Sequence, residues 1–282
     1  MTEHTTPGPR RRRRRRGRGG PPQAGHAAPD GATHAAAGDA TAETAHAPAK
    51  PAPKPAAKPG RPQAPERPSA PFDAAPLPFA TLTIDESLRA ALDQRGFVQT
   101  TPIQSAVLPY ALDGKDIIGC AETGTGKTAA YLLPILTRLL REDREQGVRG
   151  SRGYTRALIL APTRELATQI DDEIQGFAYH APLSSVAVYG GVPMEPQERA
   201  LKAGVDIVVA TPGRLLDHQR SRVGDYTRLE TFVLDEADRM MDMGFMPDVR
   251  RIISLLPAKR QNLLFSATFS DEIKKLADSF LK

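Results

Sequence analysis

The 282-residue sequence has one cysteine, Cys120, so no internal disulfide can form. That excludes a disulfide-stapled scaffold and suits a reducing compartment such as the cytoplasm. It has no uninterrupted apolar run of about 18 residues, so no membrane span is expected. The N-terminus carries arginines but no apolar stretch behind them, so no secretory signal is expected. The first 75 residues lack the means to build a core: a single aromatic, Phe72, stands among 14 of the chain's 26 prolines and four of its six histidines. Such a stretch cannot bury enough apolar surface to offset its ordering entropy, and disorder is expected over residues 1–75.

Charge is unevenly placed. Residues 1–75 hold thirteen Lys/Arg against six Asp/Glu, a balance of +7, while the whole chain is +5, which leaves −2 for residues 76–282. The basic pI of about 9.4 therefore belongs to the tail. Arg10–Arg16 is an unbroken arginine run, and a Lys-Pro-Ala stretch further on reads as an extended, semi-rigid linker. The arginines read either as a phosphate-binding arm or as a solubilising tail, and a nuclear-import signal has the same chemistry.

From about Pro76 the texture changes. Leu88, Ala91 and Leu92 fit one helical face that ends near Gly96. Short runs rich in Ile, Val and Leu follow at 116–121, 156–161, 184–189, 206–211, 231–235 and 262–266. They do not alternate with polar residues, as expected of strands buried on both faces of a parallel sheet. Amphipathic stretches lie between them, for example 163–178 and 247–257. Repeated strand–helix units imply a doubly wound α/β domain over 76–282. Residues 141–156 read as an exposed charged loop, Cys120 as a small buried strand residue, and Met240, Met241, Met243 and Met246 as core gap-fillers.

Two segments carry chemistry. "AETGTGKT", Ala121–Thr128, sits between a strand and a helix. Its Gly124 and Gly126 allow backbone N–H groups to turn onto phosphate oxygens, and the helix N-terminus adds a positive dipole end. The strict phosphate-loop pattern starts with Gly, where this chain has Ala121. Lys127 would reach the β- and γ-phosphates, and the Thr128 hydroxyl would ligate Mg²⁺. The second segment is "TFVLDEAD", an apolar strand ending in Asp235, Glu236 and Asp238. Like charges this close need a shared cation. Ligands of open α/β sheets bind beyond the carboxyl ends of strands, so Lys127 and Asp235 are expected at one edge. Asp235 would hold Mg²⁺ through water, and Glu236 could take a proton from the attacking water.

Six motifs stand in fixed order: "AETGTGKT", "PTRELA" (162–167), "GG" (190–191), "TPGR" (211–214), "DEAD" (235–238) and "SAT" (266–268). This set resembles the first RecA-like domain of DEAD-box ATP-dependent RNA helicases, over about Phe79 to Lys282. The wording around the motifs looks most like the bacterial subgroup called RNA-helicase-like E. The resemblance implies a RecA-like phosphate-loop NTPase fold with ATP and Mg²⁺ as cofactors. It also implies RNA as partner, bound through its sugar-phosphate backbone. It implies that Ala121, Glu122, Thr123, Gly124, Thr125, Gly126, Lys127 and Thr128 form the nucleotide loop. By the same resemblance Gln104 and Thr101 would hydrogen-bond adenine while Phe79 packs against its ring. The family usually has Pro where this chain has Thr100. Pro162, Arg164, Gly190, Gly191, Thr211, Gly213 and Arg214 would hold RNA. Their chemistry agrees: arginines pair with phosphates, glycines let backbones approach, and Pro162 and Pro212 can open helices. Asp238, Ser266 and Thr268 would couple nucleotide state to RNA strand separation.

The family enzyme has a second RecA-like domain that brings arginine fingers and half of the RNA cleft, and nothing here resembles it. The chain is therefore expected to be the N-terminal half of a helicase, to hydrolyse ATP poorly alone and not to unwind RNA by itself. The alternative reading is a non-catalytic RNA-binding module that uses the basic tail and a half-cleft.

Overall fold

Non-alternating aliphatic strands need cover on both faces, and they have it. The structure, a computed structural model, describes residues 75–148 and 152–281. The tail expected over 1–75, apart from Ala75, lies outside the described residues. Six parallel strands form one sheet: β1 (Ile117–Cys120), β2 (Ala157–Leu160), β3 (Ser185–Val188), β4 (Ile207–Ala210), β5 (Thr231–Leu234) and β6 (Gln261–Ser266). Their order is β1-β6-β5-β2-β4-β3. The registers Cys120↔Ser266, Leu234↔Leu264, Leu160↔Leu234 and Leu160↔Ala210 bring the carboxyl ends onto one rim.

The helices divide between the faces. Against one face lie α1 (Glu86–Gln94), α2 (Pro102–Leu112), α3 (Lys127–Glu145) and α4 (Arg164–Phe177). Their Leu88, Leu108, Leu132 and Ile170 meet Ile159, Val209, Val233 and Phe265 of the sheet. Against the other lie α5 (Met194–Ala203), α6 (Pro212–Arg220), α7 (Ala237–Asp242), α8 (Met246–Leu255) and α9 (Asp271–Phe280). Their Leu201, Leu215, Ile252 and Leu276 meet Leu158, Val208, Phe232 and Leu264. Successive strand residues thus feed two separate cores, which is why both parities are apolar. No helix among the described residues is long and apolar enough to cross a membrane.

Three expectations need correction. Residues 141–156 are not simply an exposed loop: α3 runs on to Glu145, and Asp143, Thr155 and Arg156 are buried. Arg156 stands just before β2 at the amino-end rim, where it pairs with Asp143 of α3. Residues 149–151 of that stretch lie outside the described residues. Cys120 is exposed, because β1 is an edge strand and Cys120 is its last residue. Of the methionines, Met240 and Met246 are buried, Met241 is half-buried and Met243 is exposed, since it follows the short α7 at its C-terminal end.

Candidate nucleotide and nucleic-acid site

Each of the six motifs begins at or just beyond a strand's carboxyl end, so the parallel sheet places all of them on one rim. The Ala121–Thr128 loop leaves β1 and enters α3 at Lys127. Gly126 caps that helix with φ +92°, and a Cβ there would lie 2.5 Å from Gln104 Nε2. Only glycine meets both demands. Gln104 also joins two segments: its Oε1 accepts from Thr101 N at 3.0 Å, and its Nε2 donates to Gly126 O at 3.1 Å. Thr101 and Gln104 form a capping box at the start of α2, and the buried Thr101 Oγ1 lies beside Gly126. Exposed Glu122, Thr123 and Gly124 form the tip of the loop, closed by Thr125 Oγ1 donating to Glu122 O at 2.7 Å.

Thr100 ties down the segment where the family usually has Pro. Its hydroxyl accepts from Leu77 N at 2.8 Å and meets Ser105 Oγ at 2.6 Å, while its N–H donates to Leu77 O. Proline could supply neither the hydroxyl nor the N–H. Phe79 is buried, with its ring edge-on to Phe97 at 5.7 Å between centroids. It supports this segment from within the core.

Lys127 is only 7% exposed, and its ammonium donates to Ala121 O at 2.7 Å. One of its three N–H groups is thereby used. Asp235 ends β5 and is 3% exposed. Its Oδ1 accepts from Glu236 N at 2.9 Å and its Oδ2 from the Tyr131 hydroxyl at 3.0 Å. Burial pushes the Asp235 pKa up to about 6, although the Tyr131 hydroxyl and the Lys127 charge pull it back. Tyr131 itself is raised well above the usual phenol range, first by burial and then by the Asp235 charge. The sequence reading missed Tyr131; the available signal was its place one helical turn beyond Lys127, on the same face of α3.

Glu236 holds a left-handed conformation, φ 48° and ψ 52°, at the start of α7. Such a conformation costs a non-glycine residue on the order of 1 kcal/mol and is found where surrounding structure enforces it. The Glu236 carboxylate meets Arg239 Nη1 at 3.2 Å. Asp238 reaches the end of β6: its Oδ2 accepts from Ala267 N and Thr268 N at 3.1 Å each and from Thr268 Oγ1 at 3.3 Å. Partial burial works to raise the Asp238 pKa, but the Arg239 N–H, the Ser266 hydroxyl, its own N–H and the Thr268 hydroxyl outweigh it and hold it below the usual carboxylate range. Ser266 is buried at the strand end, with its hydroxyl next to the Asp238 carboxylate.

The other half of the rim is built by β2, β3 and β4. Thr163 caps α4 by accepting from Leu166 N at 3.2 Å, so Pro162 precedes the cap and does not open the helix. Pro212 does open α6, behind Thr211. Arg164 is exposed, its Nε donating to Glu165 at 3.1 Å, and its Nη1 lies 3.8 Å from where a Gly191 Cβ would sit. Gly190 and Gly191 form an exposed turn, with Gly191 at φ +83°. Gly213 sits half-buried in the first turn of α6, and Arg214 beside it donates to Val192 O at 3.0 Å. The structure thus brings Arg164, the glycine pair and Arg214 together.

Among the described residues no cluster of three or more His, Cys, Asp or Glu forms a metal cage. The donor set, the buried Asp235 carboxylate and the Thr128 hydroxyl, both next to the Tyr131 hydroxyl, suits an ion that keeps most of its own waters.

The comparisons with known proteins agree with this arrangement. The family described as DEAD/DEAH box helicase matches residues 101–276. The chain is 45% identical over 206 residues to the DEAD-box ATP-dependent RNA helicase CshA of Streptococcus pneumoniae, covering 73% of this chain and 38% of that protein. It is 46% identical over 204 residues to DEAD-box ATP-dependent RNA helicase 30 of Arabidopsis thaliana, covering 72% and 34%. The crystal structure of a DEAD box protein from Methanococcus jannaschii superposes with a TM-score of 0.66 at 36% identity, over 72% of this chain and 53% of that one. The chain therefore spans little more than a third of the curated relatives' length, over the part that holds the first RecA-like domain. With motifs, sheet and family match in agreement, the chain belongs to the DEAD/DEAH box helicases.

Proposed function

We propose that the carboxyl-end rim binds ATP with Mg²⁺ at its β1–β5 half and an RNA backbone at its β2–β4 half, and that in a complete helicase it couples ATP hydrolysis to local strand separation. The observation that carries this reading is the pair Lys127 and Asp235. Two oppositely charged side chains, each over nine-tenths buried, sit on one rim, and each lacks the full set of partners that burial demands. A triphosphate supplies acceptors for Lys127, whose ammonium would leave Ala121 O for the β- and γ-phosphates. Thr101 Oγ1 and the Gln104 amide offer polar groups to a base beside Gly126. Asp235 and Thr128 would hold Mg²⁺, which when bound neutralises charge on the phosphates. Glu236, fixed beside Asp235 by its strained backbone, would orient the attacking water and take its proton. Arg164, Arg214 and the backbone of Gly190, Gly191, Thr211 and Gly213 would contact RNA phosphates and sugars, which carry no base sequence. Asp238, hydrogen-bonded to Thr268, would tie the ends of β5 and β6 together beside the nucleotide.

Strand separation is proposed only for a helicase in which this domain stands with the family's second domain. The test is isothermal calorimetry of the 282-residue chain with ATP, with and without Mg²⁺. Magnesium-dependent binding is expected, and Lys127→Ala should weaken it about 10- to 100-fold, the worth of a lost charge-assisted contact. Heat that is the same with and without magnesium, or unchanged in Lys127→Ala, would end the reading.

A further inference from the structure

The glycine turn between β3 and α5 is held by a closed ring of hydrogen bonds that no motif announces. Gln197 on α5 is 6% exposed. Its Nε2 donates to Tyr189 O at 3.0 Å, just before Gly190. Its Oε1 accepts from Arg214 Nη1 at 3.3 Å. Arg214 Nη2 in turn donates to Val192 O at 3.0 Å, just after Gly191. Both ends of the two-glycine turn are thus fixed through one amide and one guanidinium. His218, fully buried one turn beyond Arg214 on α6, meets the same Gln197 oxygen with its Nε2 at 3.1 Å. Since that oxygen only accepts, Nε2 carries the proton, and Nδ1 is left without a partner. Burial and the neighbouring Arg214 both lower the His218 pKa, in keeping with a neutral ring.

We infer that Gln197, with His218 behind it, is a positioning residue for RNA-backbone recognition: it aims the Arg214 guanidinium and sets the shape of the Gly190–Gly191 turn. The inference rests on the reading of this rim as an RNA site. Arg214 has five N–H donors and two serve the ring, so three remain for a phosphate. A guanidinium held on two sides loses little further rotamer freedom on binding, so the ring saves entropy that a free arginine would lose. Gln197 touches no RNA in this account, and its effect passes through Arg214 and Tyr189.

A double-mutant cycle tests this. Binding of fluorescein-labelled oligouridylate to the full chain is measured by anisotropy at salt high enough to screen the arginine-rich segment. Arg214→Ala is expected to weaken binding about 10-fold, and Gln197→Met, similar in shape but unable to hold the ring, about 5-fold. Gln197→Met should add nothing in the Arg214→Ala background. Gln197→Glu keeps the acceptor for Arg214 and His218 but not the donor for Tyr189 O, and should fall between wild type and Met. Magnesium–ATP heat, read on the same samples, should stay near wild type, while melting temperature falls by a few degrees in Gln197→Met because Tyr189 O and the His218 Nε2–H lose their partner. If Gln197→Met weakens RNA binding equally with and without Arg214, or lowers nucleotide heat as well, Gln197 is merely structural. If Arg214→Ala itself has no effect, the RNA reading fails and this inference with it. A loss in Arg214→Ala with none in Gln197→Met overturns the inference alone.

Discussion

The two rims of the sheet use buried charge in opposite ways. At the amino-end rim the charges pair with one another. Arg156, fully buried, meets Asp143 of α3 and lies 3.7 Å from Glu230; Arg152 adds a second contact to Asp143 at 2.7 Å. Beside them Arg138 donates to Thr231 and Gln261 at the starts of β5 and β6. At the carboxyl-end rim Lys127 holds one carbonyl, and Asp235 holds a neutral hydroxyl and an amide. A protein can neutralise buried charge internally, which fastens elements together, or leave it underpaired, which prepares a ligand site. The same residue types do both, and only their partners tell the cases apart.

Three changes test the contrast. The largest effect is expected from Asp143→Ala, which strands a fully buried Arg156 and should cost about 3–5 kcal/mol in urea unfolding. Replacing both partners, Arg156→Met with Asp143→Leu, should recover most of that loss, because the penalty lies in the unpaired charge. A small loss in the single variant would mean that Glu230 alone satisfies Arg156.

Asp235→Asn should act in the other direction. The Asp235 pKa is about 6 in the folded chain against an ordinary 3.8, so between those values the folded state holds more protons than the unfolded one. Stability therefore falls as pH rises through that window. Removing the charge should stabilise the ligand-free chain at neutral pH by on the order of 2 kcal/mol while abolishing magnesium-dependent nucleotide binding. A destabilised Asp235→Asn chain would show that the carboxylate is structural, as at the other rim.

The smallest effect concerns Glu230. Burial, with Glu142 beside it, pushes its pKa up to about 7, against the pull of Arg156 and Arg138. By the same sign, its contribution to stability declines from about pH 4.5 to 7. Glu230→Gln should flatten that part of the stability–pH curve by on the order of 1 kcal/mol, since the side chain is still 26% exposed. An unchanged curve would mean that Arg156 already pairs Glu230 fully.

Much of the site was legible because its signals are local. A strand shows as a short aliphatic run, a phosphate loop as glycines before a lysine, and a parallel sheet sends every strand's end to the same side. From these alone follow the six strands, the helices between them, and the expectation that Lys127 and Asp235 share an edge. The failures were equally specific. Cys120 reads as a buried strand residue because composition cannot say that β1 lies at the sheet's edge. Residues 141–156 read as a surface loop because nothing local tells that Asp143 will face Arg156 under the sheet.

What the sequence determined by itself is the alternation of strand and helix and the chemistry carried at each strand's end, since both depend on neighbours a few positions away. What only the tertiary structure decided is who faces whom. Tyr131 meets Asp235 across 104 residues, Gln261 meets Ala111 across 150, and Gln197 joins Tyr189 to Arg214. Strand order creates these meetings. They settle which charges are satisfied and which are left for a ligand, because burial and pairing are properties of packing and not of any segment alone.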